Sequence, residues 1–234
     1  MRLDKYLAKT GNGSRSEVKK LITSGKITVN DAVIRDPGAK IDEAKDRISV
    51  SGQAQSYEAF VYYMLNKPQG VISATEDHGI HADRCVTDLI REKNPADIFP
   101  VGRLDKDTEG LLLLTNDGDL AHRLLSPRKH VPKTYYAELD GILLPEAIQR
   151  LEKGVDIGDD KPTLPCRIEV INETCCRITI YEGRFHEVKR IFRTAGLTVT
   201  FLKRLSMGEL QLDPELAPGE YRRLTEDEVQ ILQK

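Results

Sequence analysis

The chain has 234 residues, with 35 Lys and Arg against 37 Asp and Glu, a formal net charge of −2, and 39% hydrophobic residues. This is the composition of a globular protein with enough apolar residues for a core, and no internal repeat or low-complexity segment interrupts it. No apolar run is long enough to span a bilayer, and the N-terminus lacks a signal-peptide core, so we expect a cytoplasmic protein.

The charge is unevenly distributed along the chain. Residues 1–50 hold 11 Lys and Arg against 7 Asp and Glu, a net charge of +4, whereas residues 51–234 hold 24 against 30, a net charge of −6. Such asymmetry is typical of a basic nucleic-acid-binding module attached to a less basic body. The alternative is a basic helix face that is simply solvated.

Residues 1–50 predict a small α/β module. A first helix carries Leu3 and Leu7, and Gly11-Asn12-Gly13 ends it. Ser14 and Glu17 then have the spacing of a capping box at the start of a second helix, and ITVNDAVI predicts a strand, a turn and a strand. We expect six exposed basic residues of this module to contact nucleic-acid phosphates: Arg2, Lys5, Arg15, Lys19, Lys20 and Lys26.

The polar segment 51–58 predicts a linker, and residues 59–234 predict one larger body. Its elements alternate irregularly, which favours an α+β fold with a mainly antiparallel sheet flanked by helices. The predicted strands are Phe60–Leu65, ended by Asn66-Lys67-Pro68, then Leu111–Leu114, Thr134–Leu139, Arg167–Ile171 and Arg177–Tyr181. The predicted helices are one that carries Leu120, Leu124 and Leu125, then Glu146–Lys153, His186–Thr194 and Glu226–Gln233.

Asp105 lies in the polar loop GRLDKDTEG, which Gly102 and Gly110 close and which leads into the apolar run Leu111–Leu114. A carboxylate on a loop that a rigid strand supports is a common placement for chemistry. A lone Asp can equally be a solvated or loop-capping residue.

GRLDKDTEGLLLLTNDG resembles the catalytic-loop motif of the RsuA-type ribosomal RNA pseudouridine synthases. NKPQGVISAT, KTYYAEL and EGRFHEVKRIF resemble three further motifs of that family in the same order, and RLDKYLA with SRSEVKKLITSGKITVN resembles an S4-type RNA-binding domain. The resemblance covers essentially the whole chain. It implies an enzyme that breaks the N1–C1′ bond of a uridine, turns the uracil and joins C5 to C1′, without a metal or organic cofactor.

The resemblance also assigns roles to side chains. Asp105 would act on the nucleotide, by attack or by proton abstraction, Tyr135 would stack on the target base, and Lys189 would pair with Asp105. Core packing is the alternative for Tyr135. Glu187 stands where relatives often have Gln, and a negative charge near RNA is unexpected there.

Three further basic residues of the body are candidate RNA contacts: Arg103, Lys133 and Arg184. Arg103 would replace the flipped uridine or bind a phosphate, or else be an ordinary exposed Arg. Lys133 follows the short basic loop 128–130 and is a candidate phosphate contact.

Several other residue clusters are weighed and set aside. Asp107 and Glu109 would suit a glycosidase-like carboxylate pair, but their close spacing favours solvated or capping roles. The segment Asp77–Cys85 has metal-ligand residue types in no standard spacing, so we expect no metal. The four cysteines, without a CxxC motif, are expected to be reduced thiols.

We therefore expect a monomeric pseudouridine synthase that isomerises one uridine in small-subunit (16S) ribosomal RNA, free or in an assembling subunit. The compact length and the lack of basic tails favour the small subunit over the large one. The alternatives are a large-subunit (23S) enzyme, a catalytically silent S4-type assembly factor and a glycosidase. Intact Asp105, Tyr135 and Lys189 argue against silence.

Overall fold

The structure is a computed structural model of this chain that describes residues 1–43, 45–55, 60–77, 79, 82–92 and 98–233. It divides into two units, one formed by Met1–Val61 with Arg91–Ile98 and the other by Tyr62–Ile90 with Phe99–Lys234. Within the described ranges, no helix is both long and apolar enough to cross a membrane.

The N-terminal unit contains two helices and a four-stranded antiparallel sheet. The helices are α1 (Leu3–Lys9) and α2 (Arg15–Thr23), and the strands are β1 (Ile27–Val29), β2 (Ala32–Val33), β3 (Ile48–Val50) and β4 (Gln53–Gln55), in the order β2-β1-β3-β4. The predicted capping box is confirmed, because the Glu17 amide donates to Ser14 Oγ and the Ser14 amide donates to Glu17 Oε2 at 2.7 Å.

The core of this unit consists of side chains from both helices and the sheet: Leu3, Tyr6, Leu7, Val18, Ile22, Ile27, Ile41 and Ile48. Each such side chain stabilises the fold by about 1.5–3 kcal/mol when it is removed from water. The six basic residues predicted to contact RNA are all exposed, although Arg2 also forms an ion pair of 2.9 Å with Asp4.

The N-terminal sheet extends into the segment predicted as a linker. Gln53–Gln55 pairs with Ile48–Val50, across a turn at Ser51 and Gly52 that both have positive φ. Residues 56–58 of the predicted linker lie outside the described part of the chain.

The second unit begins with β5 (Tyr62–Lys67), β6 (Phe99–Pro100), β7 (Glu109–Thr115), α3 (Gly118–Leu125), β8 (Lys133–Leu139) and α4 (Pro145–Leu151). It continues with β9 (Arg167–Asn172), β10 (Cys175–Ile180), α5 (Glu187–Arg193), β11 (Val199–Met207), β12 (Leu210–Gln211), β13 (Tyr221–Arg223) and α6 (Glu226–Gln233).

These strands form one sheet in the order β13-β5-β7-β11-β8-β10-β9, with β6 paired to β7 and β12 to β11. Among the described strand pairs, β7 and β11 run parallel and the other neighbours are antiparallel. The predicted α+β class with a mainly antiparallel sheet is therefore confirmed.

Two predictions about this sheet are wrong. Asn66 and Lys67 do not end the first strand of the body but belong to it, and both side chains are buried. The nine-residue strand β11 was missed altogether, although it lies at the centre of the sheet between β7 and β8. Both errors concern polar or basic residues whose burial depends on neighbours that are distant in the sequence.

Candidate active site

The loop that carries Asp105 is held by glycines at both ends. Gly102 and Gly110 have φ values of +80° and +102°, which residues with a side chain rarely adopt. A Cβ atom at Gly110 would also collide with the carbonyl oxygen of Arg204 on the adjacent strand β11. The parallel pairing of β7 with β11 therefore requires glycine where this loop meets the sheet.

The buried ammonium group of Lys67, on strand β5, holds the same loop. Lys67 Nζ donates to the carbonyl oxygens of Asp105 at 3.0 Å, Lys106 at 3.4 Å and Thr108 at 2.9 Å, and to that of Pro68 at 3.0 Å. Burial lowers the pKa of Lys67 to about 8, against which nearby carboxylates act. The main chain at Asp105 and in the residues that follow it is thus tied to strand β5.

Asp105 and Lys189 form the ion pair that the family resemblance implied. Asp105 Oδ2 lies 2.9 Å from Lys189 Nζ, and the two side chains are 26% and 18% exposed. Asp107, which is 69% exposed, contacts the same ammonium group at 2.6 Å. Asp107 is therefore solvated, as expected, but it also shares the cation of Asp105.

The pKa values agree with a charged cluster. Burial acts to lower the pKa of Lys189, but the hydrogen bonds to Asp107 and Asp105 outweigh it, and the pKa is raised. Burial acts to raise the pKa of Asp107, but the hydrogen bond to Lys189 and the attraction of its charge together outweigh burial, and the pKa is lowered. Lys189 therefore remains cationic at neutral pH.

Lys189 and Arg190 are adjacent on helix α5 but point in different directions. Arg190 points away from Asp105: its guanidinium donates to the carbonyl oxygen of Ile157 and forms an ion pair with Asp159. Only one of the two adjacent basic residues faces the loop, because successive residues of a helix are rotated by about 100° around its axis.

His186 is a further neighbour of Asp105, which the sequence pattern had placed only as a helix start. It precedes α5 in the left-handed conformation, with φ of +49°, and its Nε2 lies 3.5 Å from Asp105 Oδ1. Its ring stacks on that of Phe185 at a centroid distance of 3.8 Å.

A cavity of about 110 Å³ opens beside Asp105. Tyr135 lines it from β8, where alternate residues are buried, as the period of two predicted. The cavity brings together every site residue that the sequence predicted in the body, namely Arg103, Asp105, Lys133, Tyr135, Arg184 and Lys189.

Three buried ionisable residues line the same cavity: Lys133, Glu187 and Arg204. Arg204 Nε donates to the Leu111 carbonyl oxygen at 2.7 Å, whereas Nη2 is buried without a hydrogen-bond partner among the described residues. Burial raises the pKa of Glu187 to about 7, and the neighbouring Glu182 adds to the shift. Burial also lowers the pKa of Lys133.

Sequence reasoning missed Arg204 because it missed the strand. The available signal was a basic residue in an inward position between Leu202 and Ser206, within a run that contains Val199 and Phe201.

Two predicted RNA contacts prove to be engaged inside the protein. Lys133 is buried and its Nζ donates to the Val131 carbonyl oxygen at 2.9 Å. Arg184 donates to the carbonyl oxygens of Lys161 and Pro162 and forms an ion pair with Glu182. These groups hold the walls of the cavity, whereas Arg103 is exposed at its rim.

The remaining candidate cluster gives no metal site in the described ranges, where no three His, Cys, Asp or Glu side chains are suitably placed. His78 and His81 of the segment Asp77–Cys85 lie outside those ranges. The four cysteines are free, as predicted, and burial raises the pKa of Cys166 and of Cys176 to about 12.

Comparison with known proteins assigns both units. A family described as RNA pseudouridylate synthase matches residues 61–194, and the S4 domain family matches residues 1–48. A Bacillus subtilis (strain 168) protein described as an uncharacterized RNA pseudouridine synthase is 48% identical over 237 residues, which cover 99% of this chain and 98% of the relative. A solved structure described as a pseudouridylate synthase is 32% identical, with a TM-score of 0.69 and 99% of both chains covered.

Relatives with a stated ribosomal subunit are of two kinds. Ribosomal small subunit pseudouridine synthase A of Escherichia coli (strain K12) is 38% identical over 230 residues, with 98% of both chains covered. Ribosomal large subunit pseudouridine synthase B of Bacillus subtilis (strain 168) is 39% identical over 237 residues, with 99% of this chain and 95% of the relative covered. The chain belongs to the RNA pseudouridine synthase family and is a pseudouridine synthase with an N-terminal S4 domain.

Proposed function

We propose that this pseudouridine synthase isomerises a uridine in small-subunit (16S) ribosomal RNA, in the cytoplasm, with Asp105 as the residue that acts on the nucleotide. The observation that carries the proposal is the ion pair of 2.9 Å between Asp105 and Lys189 at the mouth of the cavity that Tyr135 lines. The aromatic face, the carboxylate and the cation required by the family chemistry thus meet in one place.

The reaction needs little from the protein beyond these groups. The N1–C1′ bond breaks, the uracil turns, and C5 joins C1′; a proton leaves C5 and N1 gains one, so that no atom is lost and no electron is transferred. Asp105, paired with Lys189 at 2.9 Å, either attacks a carbon of the nucleotide or accepts a proton. Tyr135 offers a ring face on which the uracil stacks while it is detached.

The base must leave its stack before it reaches a cavity of this size. The exposed basic residues of the N-terminal unit, with Arg103 at the cavity rim, supply the phosphate contacts that hold the RNA during this step. The side chains of Lys133 and Arg184 are assigned to the cavity wall rather than to phosphates.

The choice of ribosomal subunit rests on different support. The Escherichia coli small-subunit enzyme is 38% identical to this chain over 98% of both lengths. The large-subunit relative is of similar identity, so 23S ribosomal RNA is the second candidate.

Mapping of pseudouridines in total ribosomal RNA from cells with and without this protein decides between the candidates. We expect one position in 16S RNA to lose its pseudouridine in the deletion strain and to regain it when the wild-type gene, but not an Asp105→Asn gene, is restored. A lost position in 23S RNA would favour the second candidate, and no lost position in either RNA would contradict the proposal.

A further inference from the structure

Phe185 is an unusually exposed aromatic residue. Its side chain is 72% exposed, the highest fraction among the large apolar side chains of the described ranges. Single exposed apolar residues are common on proteins, so exposure alone has no functional meaning. The surroundings of Phe185 set it apart.

One face of the Phe185 ring is covered and the rest is open. The His186 imidazole lies against it at 3.8 Å with an interplanar angle of 18°, so the two rings form a stack. His186 has a left-handed backbone conformation, and Arg190 Nη1 donates to the Phe185 carbonyl oxygen at 3.0 Å. The main chain therefore presents the ring to solvent in a fixed orientation rather than on a loose loop.

The stack is directly attached to the active site. His186 Nε2 lies 3.5 Å from Asp105 Oδ1, so the outer ring, Phe185, is one aromatic layer away from the carboxylate. Phe185 and His186 also form the boundary between two surface grooves. One groove contains the exposed Arg193, and the other contains the exposed Arg103.

An exposed aromatic ring between two cationic grooves is suited to bind an RNA strand from which one base has been turned out. When a target uridine turns out of the stack, its neighbours lose a stacking partner at a cost of a few kcal/mol. An aromatic face restores stacking for any base, and a cation on each side attracts the phosphates of the same strand.

We propose that Phe185, backed by His186, is a stacking platform for the unpaired nucleobase next to the isomerised uridine. The inference rests on the proposed RNA isomerase function and adds a second base-binding position to it. The ligand class is a nucleobase of single-stranded RNA, recognised by its ring face rather than by its edge. The platform offsets part of the cost of turning the uridine out.

The test measures affinity for a short RNA that contains the mapped uridine, either unmodified or with the neighbouring nucleotide on one side or the other replaced by an abasic one. The variants are Phe185→Ala, Phe185→Leu and Phe185→Tyr. Ile142→Ala is the matched control, since Ile142 is also an exposed apolar residue but lines neither groove. Because Phe185 is largely exposed, none of these changes disturbs the core.

On unmodified RNA, Phe185→Ala is expected to weaken binding about 5- to 100-fold, the range for removal of one base–aromatic stack. Phe185→Leu should lose a similar amount because it keeps the apolar surface without a ring, whereas Phe185→Tyr and Ile142→Ala should bind as the wild type does. On one of the two abasic RNAs, wild type and Phe185→Ala should bind equally.

Three results would overturn the platform: no loss with Phe185→Ala, full affinity with Phe185→Leu, or a loss of equal size on both abasic RNAs. The wild-type protein is assayed for pseudouridine formation on the same unmodified RNA. Absence of product there would contradict the proposed function, whereas the affinity comparison tests the platform independently of turnover.

Discussion

Lys189 lies between two carboxylates, and its single charge is shared between them. Asp107 contacts it at 2.6 Å and Asp105 at 2.9 Å. The difference between the carboxylates is their surroundings, because Asp107 is 69% exposed and Asp105 is 26% exposed. An ion pair in the drier position depends more strongly on its partner, since water screens it less.

Lys189→Met is therefore expected to lower the single-turnover rate about a hundredfold or more, because Asp105 loses the cation that holds its side chain beside the cavity. Lys189→Arg should retain part of the rate. Lys153→Met removes an exposed charge from a position that lines neither the cavity nor its grooves, and it should change the rate little. An equal loss there would mean that Lys189 acts only through the net charge of the protein.

The buried carboxyl group of Glu187 makes the stability of the folded protein depend on pH. Burial raises its folded-state pKa to about 7, from an ordinary value of 4.5. As pH rises from 4.5 to 7, the unfolded chain releases this proton first, so the folded protein loses stability, and above pH 7 the full cost is present.

Glu187→Gln should consequently raise the free energy of unfolding near pH 8 by about 1–3 kcal/mol and change it little near pH 4, as measured by urea unfolding. The Gln side-chain oxygen can still accept the hydrogen bond from the Arg184 amide. Glu173→Gln, at an exposed position, is the control. A gain that is equal at both pH values would show that the ionised carboxylate carries no such cost.

At the scale of elements, the site is built where β7 and β11 run side by side. Gly110 allows the two strands to approach, Lys67 on β5 ties the preceding loop, and β11 contributes Arg204 to the cavity. The loop thus receives its shape from the sheet together with the glycines at its two ends.

Lys67→Met should misplace Asp105 without removing any group that touches the RNA. Three loop carbonyl oxygens lose their buried donor, so we expect a loss of about 1–3 kcal/mol in unfolding free energy. The single-turnover rate should fall while the RNA dissociation constant stays near that of the wild type. Lys106→Met is matched to it, since Lys106 lies in the same loop but is exposed and pairs with Asp83; a similar fall in rate for both variants would contradict the anchoring role.

Local sequence patterns predicted several of the elements. The second helix, its capping box, and the strands at Thr134–Leu139 and Arg167–Ile171 appear in the structure with bounds that differ by at most one residue. Alternation in β8 also placed Tyr135 on the buried face. The Asp105–Lys189 pair came from the family resemblance, because 84 residues separate the two and no local pattern relates them.

Local patterns did not predict the buried basic residues of the site. Lys67 and Arg204 are long basic side chains, which are ordinarily exposed, and each is buried only because main-chain carbonyl oxygens from other elements accept its hydrogen bonds. The same reason explains why the burial of Lys133 was not predicted, since it depends on the surrounding sheet.

At the scale of the whole molecule, the basic charge and the chemistry belong to different parts of the chain. Residues 1–50 carry a net charge of +4 and residues 51–234 a net charge of −6. RNA capture by the N-terminal unit would therefore be the salt-dependent part of binding, because each bound phosphate releases counterions.

The double variant Lys19→Gln, Lys20→Gln on α2 should weaken RNA binding and reduce the slope of log affinity against log salt by about 0.7 for each phosphate that is no longer bound. Lys153→Gln, Arg177→Gln removes the same charge from exposed positions of the body and serves as control. Equal changes in slope for the two double variants would indicate that net charge, and not the N-terminal unit, governs capture.

The most direct test of the account compares Asp105→Asn with Asp107→Asn in single-turnover pseudouridine formation on 16S ribosomal RNA, with RNA affinity measured on the same preparations. The two residues lie in one loop, contact the same Lys189, and lose the same charge. We expect no detectable pseudouridine with Asp105→Asn, at an RNA affinity within about threefold of wild type, and a rate within about tenfold of wild type with Asp107→Asn. Pseudouridine formation near the wild-type rate with Asp105→Asn would contradict the assignment of the chemistry to this carboxylate.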